Sequence, residues 1–387
     1  MKHTMKYLVV AVLLCGFWVS GCNKSGEQKS AQRGTASSAE QTAKDRSAFV
    51  ASLATPLSPE DAAINITEKS SNPNKIVFRV GSVMRNFDEH PSSRACRQFL
   101  IELKKRLKDK IEIQIFSGGT LGTTADQILG GLQARSIECY EYNVGAFAEY
   151  TNAFMPLDVM YLIPDAQAGM AVCTGEPGEI MRQKCIDDCN VRVLFYNNIG
   201  MRYITNTKRA IRTPKDMQGL KIRVQNNPLH ILAMKQLGAA PTPIAFAELF
   251  TALQQKVVDG QENPVSNIYD QNYGEVQDYM TLSNHMYTTG TLAVNNTWYL
   301  EQSEEVKQAI RESAKITEEY TAIETLKVET RLLEELGKEM QIYRLSSEEF
   351  KAFQDVSKQT WDQAAQRIGK EYFEKVRASI ERTLAAM

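Results

Sequence analysis

Histidine is scarce in this 387-residue chain, with only His3, His90, His230 and His285. None falls in an HExxH pair or beside a nucleophile, and no GxSxG elbow or dinucleotide-binding glycine fingerprint follows a strand-like run. The glycine run SGGTLGTT lacks the Lys-Ser/Thr of a phosphate loop and reads as a strand-to-helix turn. Net charge is also lacking: 45 basic against 46 acidic residues leave −1, spread without a basic patch, which excludes a nucleic-acid footprint. Long apolar runs are absent except for one at the N-terminus.

That run, LVVAVLLCGFWV, follows Lys2 and Lys6 and ends in VSGC at Val19–Cys22. It is too short for a mature membrane span, which takes roughly 20 residues. It reads as a secretory signal with a lipoprotein box; the resemblance to bacterial lipoproteins implies removal of residues 1–21 and a lipid on Cys22 that anchors the chain to a bacterial membrane on the periplasmic or extracytoplasmic side, against an uncleaved anchor or a cysteine there by chance. Residues 22–74 form the expected tether. They are rich in Ser, Ala, Gln, Lys and Thr, with Phe49 the only aromatic, and such a composition buries too little apolar surface to offset ordering entropy. As a flexible coil it would reach on the order of 40 Å.

From Lys75 the pattern becomes globular. IVFRVGSV reads as a strand, SSRACRQFLIELKKRLKDK as an amphipathic helix with Phe99, Leu100, Leu103 and Leu107 on one face, IEIQIF as a second strand and TADQILGGLQARSI as a second helix. This βαβα order predicts an α/β layer with a largely parallel sheet, whose strand ends face a ligand crevice. Further on, YIT and KIRV read as strands joined by a Thr213-Pro214-Asp216-Gly219 turn, and place Arg202 and Arg223 on them. An arginine fork suits a carboxylate, although a solvated strand arginine gives the same pattern. QENP is expected as a turn bearing Asn263. Residues 301–336 read as one long helix stopped by Gly337, and Ser346 as a helix cap.

Five of the seven cysteines lie beyond Cys22, an odd number that leaves at least one thiol unpaired. Cys185 and Cys189 are one helical turn apart, but no histidine completes a zinc set; no metal or cofactor is expected.

The order R-x-x-T-N, T-P-x-D-x-x-G-L-K-I-R-V, then L-G-A-x-P-T-P-I-x-F-x-E-L-F-x-A-L-Q-Q-x-V-V-D-G-Q-E-N-P closely resembles the solute receptors of tripartite ATP-independent periplasmic (TRAP) transporters, densely from Asn198 to Leu300 and more loosely from Lys75 to the end. The resemblance implies a periplasmic-binding-protein-like α/β fold. Two α/β domains, 75–199 with 284–300 and 200–283 with 301–387, would flank a cleft, with a long helix crossing both. It implies no enzyme, and a small organic acid held by Arg223 as carboxylate clamp, Arg202 as a second charged donor and Asn263 as a neutral one. A nearby acid such as Glu262 or Asp126, or a second acid group of the ligand, is expected to balance the arginine pair. His90, beside Pro91, corresponds to a His-Pro pair at the pocket edge, against a reading as a plain turn, and Asp126, after Gly122, to an acid that touches substrate hydroxyls in some members.

The chain departs from the family pattern at Ile137-Glu138-Cys139-Tyr140-Glu141-Tyr142. Glu138 and Glu141 there are candidates to select a hydroxylated or amine-bearing ligand, against a reading as solvated strand-end acids. The implied partners are a small and a large membrane permease subunit driven by an ion gradient, with the chain itself a monomer. A sensor receptor, and a lipid-anchored enzyme using Cys139 or Cys173 with His230 or His285, are the alternatives.

Overall fold

The computed structural model describes residues 57–84, 87 and 90–387. The signal, Cys22 and most of the tether lie outside the described residues. Ten strands carry the fold: β1 (Ile76–Ser82), β2 (Ile111–Phe116), β3 (Cys139–Asn143), β4 (Val191–Asn206), β5 (Lys221–Val224), β6 (Ala240–Pro243), β7 (Gly260–Pro264), β8 (Tyr279–Leu282), β9 (Tyr287–Asn295) and β10 (Gln341–Arg344). They line up as β2-β1-β3-β9-β4-β7-β5-β6, with β8 beside β4 and β10 beside β8.

The organising strand is β4. Its first part, Val191–Met201, pairs with β9, and its last part, Arg202–Asn206, pairs with β7 and β8. One strand therefore threads two sheets. It is buried along almost its whole length, as a strand covered on both faces must be. Register shifts fall between Val193 and Phe195 and between Asn198 and Gly200, and Gly200 sits at φ +110°, a backbone state that a side chain disfavours. The bend between the two sheets is thus built into β4.

In the first sheet β1 runs parallel to β2 and β3, while β3–β9 and β9–β4 are antiparallel. The sheet is mixed, because β9 enters from the far end of the chain. The helix Pro91–Leu107 covers it with Phe99, Leu100, Leu103 and Leu107, all buried, each contributing roughly 1.5–3 kcal/mol; Phe99 meets Phe195 of β4 at 5.2 Å between ring centres. In the second sheet β5 is parallel to β6 and β7. Its core gathers Ile204, Ile222, Val224, Met217 and Met234. The Thr213–Asp216 turn forms with Thr213 as cap and Asp216 closing back on it.

QENP differs from its expected form. Gly260–Pro264 is a fully buried strand, because Gly260 lets β7 close against Thr205 and Asn206 of β4, where any Cβ would meet the Thr205 carbonyl at 2.1 Å. The long helix is Glu304–Leu336, capped by Ser303 and preceded by a separate helix Asn296–Glu301. It runs along β4 from one sheet to the other: Arg106 reaches Glu312, Thr321 and Thr325 bond the backbone of Asn198, and Tyr203 reaches Glu329. The last helix, Lys370–Ala385, returns to Glu176–Cys189, joined by Arg382–Glu176 at 2.8 Å. All five described cysteines are buried free thiols, and the Sγ atoms of Cys185 and Cys189 stand 3.7 Å apart. Among the described residues no helix is long and apolar enough to cross a membrane.

Candidate functional site

Alternation in β5 aims Arg223. Ile222 and Val224 enter the core of the second sheet, so Arg223 takes the opposite face, where it lines a cavity of about 490 Å³. The first sheet supplies one wall through Val83, Met84, Ser92, the Thr123–Asp126 turn and the end of β3. The second sheet supplies the other through Arg223, Gln225, Pro243–Phe246, Asn263 and Asn267. Ile199, at the bend of β4, sits between them. A cavity of this size suits a small molecule (typically ~300–1,000 Å³).

Arg223 is 2% exposed, and its Nε donates to the Ile244 carbonyl at 2.8 Å. Among the described residues no carboxylate forms an ion pair with its guanidinium. Burial pushes its pKa down from the ordinary value; Tyr273 and Glu262 oppose that shift, and Arg202 adds to it by repulsion. A guanidinium remains protonated in any case. Arg223 is therefore a desolvated cation that an anion in the cavity would stabilise.

Arg202 does not reach the cavity wall. It is 1% exposed and spends its donors inside the protein, Nε on the Glu262 carboxylate, Nη1 on Thr288 Oγ1 at 3.1 Å, and Nη2 on the Glu262 carbonyl and on Asn263 Oδ1 at 3.2 Å. The reason is register: Arg202 pairs with Pro264 across β4–β7, which sets it alongside Glu262. Asn263 does line the cavity, held by Arg202, by Asn267 at 3.1 Å and by Gln261 at 2.5 Å.

Glu262 is the acid that balances Arg202. His230 Nδ1 approaches its Oε1 at 3.0 Å and His285 Nε2 its Oε2 at 3.3 Å. Burial raises the Glu262 pKa, but Arg202 and His230 outweigh it and hold the carboxyl well below its usual range. Burial likewise works against the charge on His230, yet Glu262 and Asp158, the latter at 3.2 Å, carry its pKa above the ordinary value. His285 goes the other way: burial dominates, and its pKa falls despite Glu262. Through Gln225 at 2.8 Å from His230, and Asn143 at 3.2 Å from Gln225, this buried network meets the cavity. Asn227 adds a tie to Asp158 at 2.8 Å.

The remaining expected residues divide. Asp126 lines the cavity at its exposed edge, its Oδ1 accepting from Tyr150 at 2.5 Å. His90 is buried behind the wall as the cap of Pro91–Leu107: Nδ1 accepts from the Ser92 amide, so Nε2 faces Asn267 Oδ1 at 3.1 Å as donor. Glu138 lies outside the cavity, in a two-point pair with Arg79 at 2.5 Å. Glu138 stands just before β3, within reach of Arg79 on β1, whereas Glu141 lies on β3 opposite Ser82 and lines the cavity.

The family model described as bacterial extracellular solute-binding protein, family 7 (DctP) matches residues 83–367. The chain belongs to this family. Its members are solute-binding proteins rather than enzymes, and the TRAP-receptor resemblance carried by the 198–300 motifs agrees with the match.

Two relatives bracket this DctP-family chain. The 2,3-diketo-L-gulonate-binding periplasmic protein YiaO of Escherichia coli is 30% identical over 226 residues, covering 58% of this chain and 68% of that protein. The C4-dicarboxylate-binding periplasmic protein DctP of Vibrio cholerae is 29% identical over 314 residues, 80% and 92% of the two chains. In fold, the chain is similar to the sugar acid binding protein DctPAm of Advenella mimigardefordensis in complex with galactonate, with a TM-score of 0.75, 28% identity and coverage of 81% and 100%.

The sequence pointed to Glu262 as a balancing acid but not to Gln225 and Asn267 as wall groups, nor to His230, His285 and Asp158 as the network around Glu262. Gln225 was within reach, standing two residues after Arg223. Nothing in the sequence joins His230 to Asp158, seventy-two positions apart.

Proposed function

We propose that the chain is an extracytoplasmic receptor that captures a small organic acid by seating its carboxylate on Arg223 and delivers it to a TRAP permease of small and large membrane subunits. The observation that carries this reading is Arg223 itself, buried at the wall of the cavity with no acid partner among the described residues. The names of the relatives support it: diketogulonate, C4-dicarboxylates and galactonate are all carboxylates. Asn263 and Gln225 would orient the ligand, Arg202 would act through Asn263 and not by touching the ligand, and Asp126 would meet its exposed end. His90 supports the wall through Asn267. Capture proceeds by closure of two units, 75–199 with 284–300 and 200–283 with 301–387, about the bend in β4. A lipid on Cys22 would keep the receptor at the membrane, and an ion gradient across the permease would drive uptake.

The test is calorimetric titration with a panel of organic acids, wild type beside Arg223→Ala. Removing one partner of a buried charge pair costs about 2–5 kcal/mol, roughly 30- to 5,000-fold in affinity. A variant that keeps its fold and its affinity would refute the clamp.

A further inference from the structure

The two walls of the cavity carry unlike charge. Among the described residues lining it, Arg223 is the one cation, whereas Asp126, Glu141 and Glu149 are acids. The two outer acids are exposed and already engaged, Asp126 by Tyr150 at 2.5 Å and Glu149 by the Asn226 amide at 2.6 Å. Glu141 is different. It is 2% exposed, on the wall contributed by the first sheet, and its partners are three serine hydroxyls: Ser82 at 2.7 Å and Ser93 at 2.8 Å on Oε2, and Ser92 on Oε1. The β1–β3 register sets Ser82 directly beside it. Hydroxyls satisfy oxygen lone pairs without neutralising the charge, and no Lys or Arg among the described residues pairs with Glu141. A carboxylate accepts about four hydrogen bonds; three are taken, two on Oε2 and one on Oε1, which leaves a place on Oε1, and both Glu141 and Ser92 line the cavity.

We propose that Glu141 sets the specificity of the cavity: the solute carries one carboxylate, on Arg223, and a hydrogen-bond donor, hydroxyl or ammonium, toward Glu141, and a second carboxylate at that end is rejected. This rests on the receptor reading and narrows it. A single ligand carboxylate uses up the one cation that the described residues bring to the cavity. A second would lie against a buried acid, where two like charges cannot both stay ionised without a large penalty. The donor-bearing end instead completes the coordination of Glu141 and, if it is an ammonium, its charge as well. The chain thereby parts company with relatives named for C4-dicarboxylates.

Calorimetry on the full chain with matched ligands decides it: aldonates against aldarates of the same carbon skeleton, and 4-hydroxybutyrate and 4-aminobutyrate against succinate. The donor-ended acid is expected to bind at least about tenfold tighter than its dicarboxylate partner, the span of one hydrogen bond to a charged group. Glu141→Gln should bring the two within about threefold. If the native solute carries an ammonium, that variant costs it more than about tenfold, whereas a hydroxylated solute, still offered the amide oxygen, loses less. Should the variant not fold, the wild-type preference decides alone. Dicarboxylates that bind wild type as tightly, and still depend on Arg223, overturn this inference and leave the receptor reading standing. A wild-type chain that binds no acid in either set overturns both.

Discussion

Arg223 on β5 and Arg202 on β4 stand on either side of β7 and do different work because of what each faces. Arg223 lines the cavity without a counter-charge among the described residues; Arg202 is neutralised by Glu262 and serves to fix Asn263. The same buried carboxylate holds His230, which links stability to pH. His230 has its pKa raised in the folded state. Its contribution is therefore complete below the ordinary value of 6.5 and is lost as pH rises through the folded value. Glu262, with its pKa depressed, contributes above 4.5 and is lost as pH falls through its own folded value. The stability gap between wild type and His230→Gln, measured by thermal melting, is expected to be wider at about pH 6 than at about pH 9. A gap of equal size at both would show that His230 does not carry charge in the folded protein. The sequence displayed Arg223 at this scale because strand alternation alone turns it away from Ile222 and Val224. It could not display the pairing of Arg202, which depends on a partner strand sixty residues later.

At the scale of elements, β4 is the part on which both sheets depend. Its bulge between Asn198 and Gly200 lies beside Ile199 in the cavity wall and under Thr321 and Thr325 of the long helix. An added Cβ at Gly200 would touch only Thr325 Cγ2 at 3.8 Å and Glu329 Oε2 at 3.9 Å, so there is room for it, and the cost of Gly200→Ala is the backbone conformation at φ +110°. That substitution is expected to lower unfolding free energy by about 1 kcal/mol or more, read as a fall in denaturant midpoint with unchanged slope. An unchanged midpoint would mean that the bulge relaxes without penalty. Helix positions were legible from periodicity and capping, down to Ser346, whose cap closes with Glu349. The strand character of QENP was hidden, because Gly, Asn and Pro are turn residues by local preference and only the close approach of β4 makes them a strand.

For the whole molecule, the cavity walls come from two sheets joined through β4, and the mouth is bridged by Asn226 and Glu149 at 2.6 Å, one from each side. A ligand seated on Arg223 is expected to compact the molecule, so small-angle scattering should show a smaller radius of gyration with ligand than without it. Arg223→Ala should show no such change at the same ligand concentration. A radius that does not respond to a ligand bound by calorimetry would exclude closure as the capture step.

By itself the sequence determined the class of the molecule. Its βαβ periodicity and helix caps specify an α/β fold, because those signals are local and need only a few neighbouring residues to be read, and the motifs from Arg202 to Pro264 carry the resemblance to solute receptors. The direction of Arg223, away from Ile222 and Val224, was readable for the same reason. What tertiary structure alone decided is which acid lines the cavity and which arginine leaves it: the place of Glu141 depends on the pairing that sets it beside Ser82, Ser92 and Ser93, and the withdrawal of Arg202 depends on its register with β7. Both are matters of pairing between distant segments, where a shift of one residue sends every side chain to the opposite face.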